Sequence, residues 1–334
     1  MRLSISLIII ILIILSGGAA YYLAAPPSQF FSPQEKVFTI GVIINPPSLN
    51  PAWEGFQRGM EARGYKEGRN VKYIVEAGGK DIASAKQVVA NMIESGAEAF
   101  YVMGSLGGKA AKEVTAERRI EIPVVFGVIS NPIGGKLVES MQSSGNNLTG
   151  ITPINEIIGS KRLEIFLEMV PGTKRIIFPW SDPNTNGLEN IRNAAKLFNV
   201  ELVEKQATDT TAMKSFVTSF PFRPGDVIFR AADGTSGAII KDIIAVSLEK
   251  KIPLSGTNSN DVTLGGLMSY GANFEKIGEQ AARLMDSVLK GAKPSDLPIE
   301  LPEEFEFVIN AKTAEALSLT IPSASLNKAN RVIR

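Results

Sequence analysis

The side chains best suited to chemistry lie in short polar loops that follow apolar, β-branched runs. Gly104-Ser-Leu-Gly-Gly108 follows one such run and precedes a helical stretch, and Asp233 begins a similar loop later in the chain. Backbone N–H groups at a helix start favour a carboxylate, so the glycine loop suits an anion. Asp233 suits an ammonium group. Ser105 and Asp233 are each equally consistent with an ordinary helix cap.

Two aromatic residues stand beside such loops. Trp180 ends a predicted strand next to the polar run Ser181–Asn186, where lining a pocket and packing in a core are equally consistent with its position. Tyr270 falls where the chain should return between two lobes, and there hinge packing and ligand contact both fit. The sequence therefore predicts Trp180 as a candidate ligand contact.

The residue types that are missing narrow the possible chemistry. The chain contains no cysteine and no histidine, which removes thiol nucleophiles, the commonest general base and the commonest transition-metal ligand. Lys109 follows the glycines without the Ser or Thr that a phosphate-binding loop requires. The aspartates are scattered without the spacing of a metal-binding loop. The prediction is no catalytic residue, no metal and no cofactor.

The charge balance bears on macromolecular partners. With 35 basic and 34 acidic residues the net charge is +1, and no dense run of Lys or Arg interrupts the sequence. Nucleic-acid binding needs a basic face. The sequence therefore predicts a small-molecule ligand and no nucleic acid.

Strands and helices alternate along most of the 334 residues. A β-branched run at Val37–Ile44 begins one series, and a second series starts after the helix predicted at Glu156–Val170. Such alternation predicts parallel sheets covered by helices on both faces. The fold class is therefore α/β, with two doubly wound lobes joined by a hinge. In open sheets of this kind ligands bind beyond the carboxyl ends of the strands, which is where the polar loops fall.

The N-terminus carries an unbroken apolar segment. Arg2 is followed by nine consecutive Leu and Ile residues, Leu7–Leu15, and then by small residues up to Ala20. This is typical of a signal peptide cleaved after Ala20, but residues 3–25 lack charge and are also long enough for a membrane anchor. Residues 26–36 form a Pro- and Ser-rich linker. Both alternatives predict an extracytoplasmic protein, exported or attached to the membrane through its N-terminus.

Several stretches resemble the ABC-transporter substrate-binding proteins of the tryptophan/tyrosine-uptake type, which have the type I periplasmic-binding fold. The matching stretches keep the family's order and spacing, and they are Gly55-Phe-Gln-Arg-Gly-Met-Glu-Ala-Arg-Gly-Tyr-Lys-Glu-Gly-Arg-Asn70, Ile122-Pro-Val-Val-Phe126, Ser130-Asn-Pro132, Asn147-Leu-Thr-Gly-Ile151, Ser269-Tyr-Gly271, Ile277-Gly-Glu-Gln-Ala-Ala282 and Phe307–Leu317.

The resemblance implies a division of the chain and a set of ligand contacts. It places residues 37–152 and 274–298 in lobe 1, and residues 153–273 and 299–334 in lobe 2. The ligand positions of the family carry over to Ser105, Asn131, Asn184 and Asp233, with Ser48 nearby. Asn131 stands where the family often has Asp, and Ser105-Leu-Gly-Gly108 replaces a usual Thr-Pro-Ala-Ala. These two departures from the family pattern bear on the identity of the ligand more than on the fold.

The implied function is capture of a small molecule for import. The chain would be a monomer that closes its lobes on an amino acid, aromatic or branched, and delivers it to the permease and ATPase subunits of an ABC importer. The alternative is a ligand-sensing module of the same fold for a membrane receptor. An enzyme is harder to support without His or Cys, and a repressor core lacks an N-terminal DNA-reading helix pair.

Overall fold

A computed structural model describes residues 36–153, 155–181 and 187–334. The apolar segment 1–25, most of the linker 26–36, and Asn184 lie outside the described residues. Residues Val37–Arg334 form one compact unit. No helix in the described part of the chain combines the length and apolar character needed to cross a membrane.

The first half of the chain builds a five-stranded sheet in the order β2-β1-β3-β4-β5, in which every pairing is parallel. Its elements are β1 (Phe38–Ile44), α1 (Asn50–Ala62), β2 (Val71–Ala77), α2 (Ile82–Glu94), β3 (Ala99–Met103), α3 (Ser105–Arg118), β4 (Val124–Gly127) and β5 (Leu148–Ile151). All residues of β3, β4 and β5 are buried, as expected for strands covered on both faces.

The second sheet has seven strands in the order β12-β11-β10-β9-β8-β6-β7. Its elements, with the helices between them, are α4 (Asn155–Met169), β6 (Arg175–Trp180), α5 (Leu188–Leu197), β7 (Glu201–Gln206), α6 (Thr210–Ser219), β8 (Asp226–Phe229), α7 (Gly234–Ala238), α8 (Ile240–Lys250), β9 (Leu254–Gly256), α9 (Ser259–Thr263), β10 (Met268–Ala272), α10 (Phe274–Leu289), β11 (Phe305–Asn310), α11 (Ala311–Ala316), α12 (Ser323–Lys328) and β12 (Arg331–Ile333).

One pair of strands in the second sheet departs from the predicted parallel arrangement. β10 and β11 pair antiparallel, with Met268 opposite Ile309 and Ala272 opposite Phe305. The reason lies in the path of the chain: β10 leads out of this sheet into α10, which packs on the first sheet, and β11 returns from there in the opposite direction. The prediction of an α/β fold with two lobes and parallel sheets is otherwise confirmed.

Side-chain caps fix where several helices begin. The carboxylates of Asp81 and Asp209 accept the backbone N–H groups of Ser84 and Ala212, each at 2.8 Å, at the starts of α2 and α6. Such caps satisfy donors that have no partner within the helix. They also place the loops that precede the helices, and both of these loops border the site described below, through Gly79, Lys80 and Thr208.

Candidate functional site

A cleft of about 1050 Å³ lies between the two lobes. Its walls come from loops at the carboxyl ends of strands in both sheets, and its back comes from the chain that passes between the sheets at Tyr270–Phe274. This is the edge at which open α/β sheets bind ligands. The structure brings Ser48, Ser105, Asn131 and Asp233 to this one cleft.

The first lobe contributes a helix start and two short loops. Gly104 occupies the N-cap position of α3 with a φ of +90°, and a Cβ there would lie 1.9 Å from the carbonyl oxygen of Asn45. Because the cap is a glycine without a side chain, the capping interpretation of Ser105 does not apply. Ser105 is the exposed first residue of the helix. Its hydroxyl and the N–H groups of the first turn are therefore available to an anion in the cleft.

Ser48 and Asn131 border the same wall. Ser48 lies in the 3-10 turn Pro47–Leu49 and is 9% exposed. Asn131 is half-buried, and its Oδ1 accepts the backbone N–H of Gly134 at 2.8 Å. That bond holds the loop after β4 in a turn and fixes the direction of the amide group.

Asp233 is the acidic group of the second lobe's wall. Its Oδ1 accepts the N–H of Ser236 at 2.8 Å and caps α7, and its Oδ2 accepts the N–H of Ser181 at 2.9 Å. The capping interpretation from the sequence is thus confirmed. An ionised carboxylate has about four acceptor sites, so the two backbone bonds fix its orientation and leave capacity for a ligand ammonium group.

Two buried arginines, neither predicted from the sequence, form the floor of the cleft. Arg162 on α4 and Arg230 after β8 are each 3% exposed. Burial, and secondly the neighbouring Arg230 guanidinium, lower the pKa of Arg162 to about 9, so it remains charged at neutral pH. Arg162 interrupts the buried face of α4, four residues before Phe166, and a charge at that position was a signal in the sequence. Arg230 directly follows a strand, and its position was the corresponding signal.

Apolar side chains cover the middle of the cleft between these polar walls. The lining residues of this kind include Leu49, Leu106, Phe178, Tyr270 and Phe274. Tyr270 is half-buried and lies on the strand that leads from one lobe to the other. In ligand sites an apolar lining supplies most of the contact area, and a few polar groups set orientation.

Trp180 is not among the cleft-lining residues in the described part of the chain. Its side chain belongs to the core of the second lobe, and its indole N–H donates to Glu204 Oε2 at 3.1 Å. The side chain of a strand residue points to one face of the sheet, and here that face is the packed one. Asn184 lies outside the described residues, so its position stays a prediction.

The two lobes touch at Gly237, beside Arg230. A Cβ placed on Gly237 of α7 would lie 3.4 Å from Pro46 Cγ, 3.5 Å from a terminal nitrogen of Arg230 and 3.7 Å from Ser48 Oγ. The distances to Pro46 and Ser48 are van der Waals distances between the two lobes. Within the described residues, no group of three or more acidic side chains is arranged to hold a metal ion.

Comparison with known proteins gives the same architecture. The sequence pattern of the family described as ABC transporter substrate binding protein matches residues 37–333. A tyrosine-binding protein of Clostridioides difficile is 27% identical over 296 residues, which cover 88% of this chain and 84% of that protein.

Two solved structures are also similar. One is the ABC domain from a Streptococcus pneumoniae protein in complex with L-Trp, with a TM-score of 0.79, 25% identity and coverage of 89% of this chain and 100% of that one. The other is a conserved domain protein from Vibrio cholerae, with a TM-score of 0.77, 25% identity and coverage of 89% and 99%.

The chain belongs to the family of ABC transporter substrate-binding proteins. It is thus a non-enzymatic, extracytoplasmic component of transport that binds a small molecule and works with an ABC permease.

Proposed function

We propose that this protein captures an aromatic amino acid, tryptophan or tyrosine, by closing its two lobes on the ligand. One observation carries the proposal: the cleft offers a helix start on one wall, a carboxylate on the other and apolar side chains between them. A zwitterion with an apolar side chain matches that order of groups. The tyrosine-binding and L-Trp-bound relatives support the same ligand class.

In this proposal the ligand carboxylate lies at the first turn of α3, beside Ser105, Ser48 and Asn131. The ammonium group pairs with Asp233, and Asn184 contributes from the neighbouring loop. The aromatic ring packs against Phe178, Tyr270 and Phe274. A polar contact from each lobe favours the closed state, because the ligand gains both only when the cleft is shut.

Isothermal titration calorimetry with each of the twenty amino acids tests the ligand. We expect L-tryptophan or L-tyrosine to bind most tightly. Asp233→Asn should weaken that binding about 10- to 100-fold, because a hydrogen bond between charged groups contributes about 1.5–3 kcal/mol. Asp209→Asn is the matched control, since Asp209 also caps a helix of the second lobe but does not line the cleft. Absence of heat with every amino acid would refute the proposal.

We also propose the division of the chain and its anchorage. Lobe 1 comprises residues 37–152 and 274–298, and lobe 2 comprises residues 153–273 and 299–334. The chain crosses to lobe 2 just past this bound, since Ile299 packs in a core of the first lobe and the N–H of Glu300 donates to the carbonyl oxygen of Gly150. Support comes from the core around β1, which contains Ile277, Ala281 and Leu284 of α10. The protein acts as a monomer with a permease and its ATPase, and residues 1–25 export it or hold it at the membrane.

Intact-mass analysis of the protein recovered from cells distinguishes the two forms of the N-terminus. A mass that matches a chain beginning at Tyr21 identifies a cleaved signal peptide, whereas a mass that includes Met1 identifies a permanent anchor. Recovery of the chain inside the cytoplasm would contradict both.

A further inference from the structure

Arg230 is the centre of a buried polar cluster beneath the second lobe's wall of the cleft. Its Nε donates to Asp261 Oδ2 at 2.9 Å, one terminal nitrogen donates to Ser236 Oγ at 2.9 Å, and the other donates to the hydroxyl of Thr257. Asp261 is fully buried. A rigid guanidinium fork with partners on three sides fixes all of them relative to one another.

The partners of Arg230 lie on two loops that face the ligand. Ser236 belongs to α7, whose start is capped by Asp233, and the carbonyl oxygen of Asp233 itself lies 3.5 Å from a terminal nitrogen of Arg230. Thr257 and Asp261 belong to the loop and helix after β9, and Thr257 lines the cleft. The single guanidinium therefore joins the loop after β8 to the loop after β9.

Arg162 holds the backbone of Arg230 in place. Its two terminal nitrogens donate to the carbonyl oxygens of Gly256 and Arg230, at 3.1 and 2.7 Å, and its guanidinium lies 4.1 Å from the centre of the Phe229 ring. These carbonyl groups mark the ends of β8 and β9. The cluster is thus attached to the rigid sheet, and a buried cation held this way is costly to leave without its partners.

We propose that Arg230 is a positioning residue for ligand recognition, which holds the carboxylate of Asp233 in the direction required by the ligand's ammonium group. This inference rests on the proposed function, because it is there that the Asp233 carboxylate pairs with the ammonium group of the ligand. Four of the five N–H groups of Arg230 have protein acceptors, on Asp261, Ala231, Ser236 and Thr257, so Arg230 acts on the ligand mainly through the loops that it fixes.

The test compares two probes that differ only in the ammonium group, L-tryptophan and indole-3-propionate. Affinities are measured by calorimetry on the full chain, and the readout is the ratio of the two dissociation constants. We expect wild type to prefer L-tryptophan by about tenfold or more. Arg230→Met should reduce that preference to the level of Asp233→Asn, and the double variant should reduce it no further, since residues that act as one unit are not additive.

Arg175→Met is the matched control. Arg175 also forms a buried ion pair in the second lobe, with Asp226 at 2.6 Å, but at the opposite end of the same strands. It should lower the melting temperature and leave the preference unchanged. A wild-type preference retained in Arg230→Met, or additive effects in the double variant, would overturn the inference while leaving the proposed function intact.

Two smaller changes keep the test decisive if Arg230→Met does not fold. Ser236→Ala and Thr257→Val each remove one contact of the fork and retain the pair with Asp261. Each should reduce the preference for L-tryptophan about threefold, and unchanged ratios in both would refute the role of Arg230. If wild type binds neither probe nor tyrosine, the proposed function fails first and this inference fails with it.

Discussion

Single side chains in this cleft combine a structural bond with a position that a ligand can reach. Asp233 caps α7, accepts a second N–H from Ser181 and still lines the cleft. Asn131 likewise closes a turn and lines the opposite wall. Groups already oriented by the backbone lose little conformational entropy when a ligand arrives. The backbone bonds therefore orient both groups for the ligand contacts proposed above.

Glu204 gives a prediction about acid stability. Its carboxylate accepts two bonds from Arg192, both at 2.8 Å, and one from Trp180. The bonds from Arg192, more than any other cause, lower the pKa of Glu204 below its ordinary value. A carboxyl whose pKa is lowered by folding stabilises the protein fully when the pH is above the pKa that it has in the unfolded chain. That contribution is lost as the pH falls through the lower pKa of the folded state.

We therefore expect Glu204→Gln to lower the melting temperature at pH 7, and the difference from wild type to shrink as the pH is lowered below about 4.5, the ordinary pKa of a glutamate. Scanning calorimetry between pH 7 and pH 3 measures this. The exposed Glu76 on β2 supplies the control, because Glu76→Gln removes a charge without removing such bonds. A difference that stays constant over this range would contradict the assignment.

At the scale of single residues, the sequence predicted only some of the side chains that line the cleft. The rule that ligands bind beyond the carboxyl ends of strands led to Ser48, Ser105, Asn131 and Asp233, because each follows a recognisable strand or turn. Trp180 was misplaced, since a strand's last residue faces either side and the local sequence does not say which. The partners of Arg162 could not be predicted, because they are backbone carbonyl groups at the ends of strands far along the chain.

At the scale of elements, the contact between α1 and α10 depends on glycine. A Cβ on Gly55 would lie 1.9 Å from the carbonyl oxygen of Glu275, and a Cβ on Gly278 would lie 2.1 Å from that of Ala52. The two helix backbones touch at these positions. Ala282 packs beside them, opposite Gly59. The spacing Gly55-x-x-x-Gly59 places both glycines on one face of α1.

We expect Gly55→Ala to destabilise the fold by about 1–3 kcal/mol, since the added methyl group forces the two helices apart. Chemical denaturation measures the change. Gly234→Ala is the control, because no atom lies within 4 Å of its added Cβ; it should leave stability unchanged or raise it slightly. Equal effects of the two substitutions would show that the helices adjust without cost.

The longer elements were predictable from sequence and the shortest were not. The strand predicted at Val37–Ile44 and the helix predicted at Glu156–Val170 agree with β1 and α4 to within one residue at each end. The five-residue helix α9 was missed, because so few residues show no helical period. The antiparallel direction of β11 was also missed, since pairing direction depends on where the chain returns from and not on the strand's own residues.

At the scale of the whole molecule, the contact at Gly237 predicts how closure can be blocked. A leucine there would occupy the space now taken by Pro46 and Ser48, and would hold the lobes apart. We expect Gly237→Leu to weaken ligand binding about tenfold or more, because the closed state becomes rare. Small-angle scattering should show ligand-induced contraction in wild type and none in this variant.

The exposed Lys241 on α8 offers the control for this prediction. Lys241→Leu adds a similar apolar side chain outside the mouth of the cleft and should contract on ligand addition like wild type. Contraction of Gly237→Leu to wild-type dimensions would show that the lobes close along another path.

The late position of α10 in the chain affects the order in which the protein can fold. Arg58 of α1 and Glu275 of α10 are 217 positions apart and meet at 2.7 Å. A newly made N-terminal half therefore lacks the helix that must cover α1, and its apolar surface stays uncovered until nearly the whole polypeptide has left the ribosome. The core of the first lobe can therefore be completed only after α10 has been synthesised, late in translation.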